Sequence, residues 1–147
     1  MLFRSRDRSL LARYKEQLGR LSARRLEHTQ ASAQLAEAYG LYKDLNEQRR
    51  GADVLLLMAA ADDAAGRDAA SRKNLETAAK LYRELADPRG EAQALARLAA
   101  SAERDGRYGQ ARALFTKVVD IYTQMGDPGA AAAMTRRMNA LPEQGGN

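Results

Sequence analysis

Apolar residues recur along this chain at the three- and four-residue spacing of a helix buried on one side. Beyond residue 91, Leu95, Leu98, Ala99 and Ala102 mark one stripe. Ala111, Leu114, Phe115, Val118, Tyr122 and Met125 mark the next. Gly106 separates the two, as a glycine just past a helix end does. Gly126-Asp127-Pro128 closes the second stripe. Proline cannot extend a helix interior, but it suits the first turn of the helix that follows. The same order occurs earlier: Gly66, then Leu75, Ala78, Ala79, Tyr82 and Leu85, then Asp87-Pro88. The pattern predicts antiparallel helix pairs.

The pairs repeat every forty residues. Leu81-Tyr82-Arg83-Glu84-Leu85-Ala86-Asp87-Pro88 returns as Ile121-Tyr122-Thr123-Gln124-Met125-Gly126-Asp127-Pro128, and Leu41-Tyr42-Lys43-Asp44-Leu45 precedes both. Residues 52–91 and 92–131 share ten identities. They include Gly66/Gly106, Tyr82/Tyr122 and Asp87-Pro88/Asp127-Pro128, which alanine richness cannot supply. An internal period of this length marks a stacked array in which each unit buries its neighbour. Repeats are expected at 12–51, 52–91 and 92–131, with Ala59 and Ala99 where paired helices touch.

The two ends need separate treatment. In the first repeat the turn glycine is absent and Leu26 stands in its place. One continuous helix from Leu10 is the rival reading, but its seam would run through Arg25, His28 and Ser32, a poor core. A turn is expected near 25–30, with Thr29 as a candidate N-cap. After the third repeat, 130–141 is expected to form a single capping helix stopped by Pro142, and 142–147 a tail. Residues 1–141 are expected to form one domain.

With Leu98-Ala99, Ala102, Gly106, Tyr108, Ala111 and Phe115 in this order, the chain resembles the tetratricopeptide repeat family. The forty-residue period resembles that family's long variant, with a longer second helix and Asp-Pro at the joint. The resemblance covers roughly 12–131 and implies an all-α fold: a right-handed superhelical solenoid of antiparallel helix pairs with a C-terminal capping helix. It also implies that the first helices of the repeats line a concave groove. The groove positions are Arg13, Glu16, Arg20 and Arg24, then Asp53, Leu56, Ala60 and Asp63. Gln93, Ala96, Arg97, Ala100 and Arg104 follow, and Arg136 on the last helix. One version of the family clamps C-terminal carboxylates with Lys and Asn. Those places hold Glu16, Arg20 and Leu57 here, and only Arg97 fits, so that activity is not carried over.

Composition narrows the chemistry. The chain has 147 residues, 45% of them hydrophobic and 29% charged, enough for one buried core. Cysteine and tryptophan are absent and histidine occurs once. A disulfide framework, a cysteine nucleophile and a thiolate or multi-histidine metal site are therefore excluded. The net charge of +5 is local: residues 1–25 carry +6 through Arg4, Arg6, Arg8, Arg13, Lys15, Arg20, Arg24 and Arg25 against Asp7 and Glu16. A general affinity for nucleic acid is not implied. The longest apolar run, Val54 to Ala61, is far short of the about 20 residues needed to span a membrane. The N-terminus lacks a secretory apolar core, though its Arg-rich, acid-poor start loosely resembles a mitochondrial transit peptide. A cytoplasmic location is expected.

No catalytic constellation is evident. Asp62-Asp63 reads as a solvated pair beside the Gly66 turn and His28 as a surface residue. Gly106 to Gly109 is a helix–helix turn rather than a phosphate loop. Tyr42, Tyr82 and Tyr122 read as a repeated core position of the second helix, not a base-stacking ladder. The expected function is a non-catalytic protein–protein interaction scaffold, with no metal and no cofactor. Its strip is basic at both ends and apolar and acidic between, suited to a partner's peptide segment with acidic ends. The alternative is binding to nucleic acid or an anionic membrane surface through the basic N-terminal helix, where Leu2, Phe3, Leu10, Leu11, Tyr14, Leu18 and Leu21 accompany the cations. Leu2, Phe3, Leu10 and Leu11 at one end and Met134 and Met138 at the other lead to an expected weak homodimer.

Overall fold

The computed structural model describes residues 2–143, with side chains from Arg4 onward. Among the described residues there are seven helices and no strand. They are α1 (Leu2–Arg24), α2 (His28–Asp44), α3 (Gln48–Ala64), α4 (Asp68–Glu84), α5 (Pro88–Arg104), α6 (Tyr108–Gln124) and α7 (Pro128–Asn139). The chain divides into two compact units, Met1–Leu81 and Tyr82–Asn147. In the first unit α1 packs on α2 and α2 on α3. In the second α5 packs on α6 and α6 on α7.

The helix joints recur with a shorter period than the sequence similarity. Helices α2 to α6 each have 17 residues, and a three-residue joint precedes each of them. The middle residue of every joint is left-handed: Leu26 at φ 63°, Asn46 at 58°, Gly66 at 71°, Ala86 at 52°, and Gly106 and Gly126 at 71°. At each joint two backbone hydrogen bonds close the helix end. Gly66 N–H donates to the Asp63 carbonyl and Arg67 N–H to the Asp62 carbonyl, at 3.1 and 2.8 Å. Leu26 and Glu27 do the same to Ala23 and Ser22 at 3.0 and 2.9 Å. This pairing satisfies carbonyls that a helix end otherwise leaves open and reverses the chain within three residues.

These joints refine several expectations. The chain turns at 25–27, so the single long helix is excluded. The N-cap of α2 is Glu27, without a side-chain cap bond, and not Thr29. The reason is geometric: the residue that closes one helix also opens the next, which puts the N-cap two positions before Thr29. Asp87 and Asp127 do cap with their side chains, accepting from the N–H groups of Gly90 and Ala130 at 3.0 Å each. The last helix starts at Pro128, in the first turn that proline favours, and ends at Asn139 rather than running over 130–141. The second helix of a pair is no longer than the first. The tail beyond Glu143 lies outside the described residues, as do the side chains of Leu2 and Phe3.

Leu26 occupies a conformation that disfavours a side chain, and it is 75% exposed, so no packing compensates. Leu26→Gly is expected to raise stability by about 1 kcal/mol. Asn46→Gly is expected to change it by only a few tenths, since asparagine tolerates this region. Thermal melting of the two variants checks the ordering, and equal midpoints would refute it.

Each unit has its own core. In the first, Ala12, Leu35, Ala38, Tyr42 and Val54 form a buried cluster. In the second, Ala99, Ala102, Ala111, Phe115 and Leu141 do so. Ala59 and Ala99 have no exposed surface, as expected for positions where helices meet. Small residues set these close approaches. A Cβ on Gly19 would lie 2.6 Å from Leu35 Cγ, so α1 and α2 meet there only because residue 19 is glycine.

Candidate functional site: a crevice between α1, α2 and α3

The close approach at Gly19 leaves a crevice where the C-terminal turns of α1 and α3 meet the start of α2. Its volume is about 240 Å³. Ala23, Leu35, Leu57, Ala60, Ala61 and Ala64 make it apolar, and Arg20 and His28 supply its cationic and polar groups. Leu57, Ala60, Ala61 and Ala64 follow at one-face helical spacing, so a single stripe of α3 forms one wall. Alanines there keep the crevice open where larger side chains would fill it.

Of the groove positions expected from the sequence in this unit, Arg20 and Ala60 line the crevice. Arg13 and Arg24 are exposed elsewhere along α1. Leu56 is 8% exposed and belongs to the core, while its neighbour Leu57 takes the groove position. Asp53 is half-buried and lies 3.6 Å from Arg49, one turn before it. Asp63 is half-buried as well. In the second unit Gln93 and Arg104 are exposed and Ala96, Arg97 and Ala100 partly exposed along α5, and Arg136 is exposed on α7. His28, expected at the surface, opens α2 half-buried against the crevice. The missed lining residues were accessible in principle through the 57-60-61-64 spacing.

Glu16 is committed to structure. Its carboxylate accepts from Arg20 Nε and Nη2 at 3.1 and 2.8 Å and from the Tyr42 hydroxyl at 2.7 Å. This clip orients Arg20 beside the crevice. Tyr42 has no exposed surface, and burial, then its bond to the Glu16 carboxylate, raises its phenol above the ordinary value of 10.0. A raised phenol pKa contributes stability that is complete below about pH 10 and is lost as pH rises through the higher folded value. Wild type is therefore expected to lose melting temperature more steeply above about pH 10 than Tyr42→Phe, whose buried ring has no proton to release. Parallel alkaline slopes in a pH series of melts would remove Tyr42 as the cause.

Asp62 is the largest departure from the sequence reading. It is 2% exposed, not solvated. Its Oδ1 accepts from Ser32 Oγ at 2.8 Å and from Arg67 Nε and Nη2 at 3.0 and 2.8 Å, and its Oδ2 accepts from Asn74 Nδ2 at 2.9 Å. Arg67 also donates to Thr29 Oγ1 at 3.2 Å. A buried carboxylate persists when it is paired and hydrogen-bonded in this way. The node ties α2, α3, the joint and α4 together behind the crevice wall. Tyr42 and Tyr82 are buried, as a repeated core position requires, and Tyr122 is half-buried.

Among the described residues no group of three or more His, Asp or Glu side chains could hold a metal ion. No described helix is long and apolar enough to cross a membrane. No family model matches the chain. No curated protein matches it in sequence either.

Proposed function

We propose that the chain is a right-handed superhelical array of the tetratricopeptide kind that works in the cytoplasm as a non-catalytic scaffold. It holds a peptide segment of a partner protein and needs no cofactor. The observation that carries this reading is the crevice: an apolar slot of about 240 Å³ with Arg20 and His28 among its lining residues. A slot of this kind takes one or two apolar side chains of a bound segment, and a cation beside it selects an adjacent acid. Two of the unit's carboxylates are committed to the fold, Asp62 to its node and Glu16 to its clip, which favours binding over catalysis.

A displayed random-peptide library tests the reading. Wild type is expected to select segments with an apolar centre next to Asp or Glu. Ala60→Phe fills the slot from a half-exposed position and is expected to reduce capture about tenfold or more while leaving the melting temperature nearly unchanged. Ala69→Leu, at an exposed site on α4, is the control. Selection that survives Ala60→Phe would place binding elsewhere.

A further inference from the structure

Helix α1 carries a second surface that the crevice does not use. Leu10, Leu11, Tyr14 and Leu21 are 57, 45, 61 and 48% exposed, and Leu18 lies among them half-buried. These five positions form one stripe, because residues three, four and seven apart share a helix face. Large apolar side chains exposed side by side are uncommon on a surface with no partner.

The repeat shows what such a face receives. Forty residues later the same positions of α3 hold Arg50, Gly51, Val54, Met58 and Ala61. There, Gly51, Val54 and Ala61 are buried. That face of α3 meets α2. A Cβ on Gly51 would lie 3.5 Å from the Tyr39 ring, the Arg50 guanidinium stands 5.8 Å from the centre of the Tyr42 ring, and Val54 packs with Leu35, Ala38 and Tyr42. Among the described residues no helix takes the corresponding place on α1. The helix cannot turn to hide the stripe, because its other side is fixed. Lys15 Nζ lies 2.7 Å from Glu37 Oε2, Ser9 donates to Glu47 at 3.2 Å, and Arg8 pairs with Asp44.

Charge selects the occupant. Arg6, Arg13 and Arg24 are exposed, and at 3.6 residues per turn they fall within about 20° of one another along one edge of the stripe. We propose that this face docks an amphipathic helix of a partner protein, seated on α1 as α2 is seated on α3, with acidic side chains along the edge that meets these arginines. Larger side chains on α1 than on α3 hold the incoming helix further out, at ordinary helix-packing distance. A second copy fits less well, because a two-fold antiparallel pair sets like edges together and brings the arginines of both copies face to face. A lipid surface fits less well because three cations of α1 are already engaged by carboxylates of the fold, Arg8 by Asp44, Lys15 by Glu37 and Arg20 by Glu16, whereas a helix lying on a membrane turns its cations to the lipid headgroups.

The test uses the intact chain and a displayed library of amphipathic helices about 20 residues long, with an apolar seam and edge positions varied among Glu, Gln and Lys. Wild type is expected to enrich Glu-edged helices. Tyr14→Glu with Leu21→Glu is expected to weaken capture about tenfold or more, and Arg13→Glu with Arg24→Glu to shift the preference to Lys-edged helices. All four residues are exposed, and an unchanged circular dichroism spectrum confirms that the variants fold. Ala60→Phe in the crevice is expected to leave this binding intact, which separates it from the peptide site. No enrichment, or the same enrichment with either double variant, overturns the proposal. Two further results overturn it in favour of another occupant: a sedimenting dimer abolished by the Tyr14 and Leu21 changes, or capture by phosphatidylserine vesicles with no helix selected.

Discussion

Phe115→Ala is expected to lower the unfolding free energy of the second unit by about 3–5 kcal/mol. The ring has no exposed surface and packs among Ala99, Ala102, Ala111 and Leu141, with Tyr108, Leu114, Met134 and Met138 around them. Four of these neighbours are alanine or a residue beyond the last helix, so little can move in to fill the void. Arg137 adds a second contribution. Its guanidinium stands 5.3 Å from the ring centre and donates to Glu103 Oε2 at 3.1 and 2.8 Å. The ring therefore joins α5, α6 and α7, and its loss loosens α7 first, where Met138 and Leu141 lean on it. Urea unfolding with amide exchange on α7 checks both parts. An exchange pattern unchanged in α7 would show that the helix is held by other contacts, such as the Arg112 bond to the Leu141 carbonyl at 2.8 Å.

Asp62→Ala is expected to cost about 3 kcal/mol in the first unit. The substitution removes the acceptor for Ser32, Asn74 and Arg67 together. The Arg67 side chain is 37% exposed, so water takes up part of its loss, and the larger share falls on Ser32 and Asn74, two half-buried neutral donors. Asp62→Asn retains the size of the side chain but brings an NH₂ group against donors, so it is expected to recover less than half of the stability. Denaturant midpoints for the two variants check this. A change below about 0.5 kcal/mol for Asp62→Ala would mean that the node carries no net weight.

The joints explain how far a reading of residues can go here. Gly66, Gly106, Gly126 and the two Asp-Pro pairs punctuate the chain in a way that backbone chemistry makes visible. Leu26, Asn46 and Ala86 take the same left-handed conformation without a glycine. The Asp-Pro pair that follows marks the joint at Ala86, but nothing local marks Leu26; only its distance of forty residues from Gly66 does. The crevice was half legible. Arg20 and Ala60 stand among the groove positions that the family resemblance implies, but Leu56 and Leu57 differ by about 100° of rotation, and a register good to one residue cannot choose between them. Asp62 was illegible for a different reason. Two adjacent acids before a glycine look solvated, and the partners that bury one of them come from 30 residues before and 12 after it. Burial of a charge is a property of tertiary packing, and periodicity carries no trace of it.

Equal helices separated by equal joints also govern how this chain can change its length. Losing one residue inside α3 would turn every later side chain of that helix by about 100° and move core positions to the surface. Losing residues 48–87 entirely would bring Glu47 directly before Pro88, with an acidic residue again in the N-cap place and the next helix in unchanged phase. The step that keeps helix phase is a whole helix pair. A single-residue deletion within a helix therefore disturbs the phase of the array, and excision of a forty-residue helix pair does not.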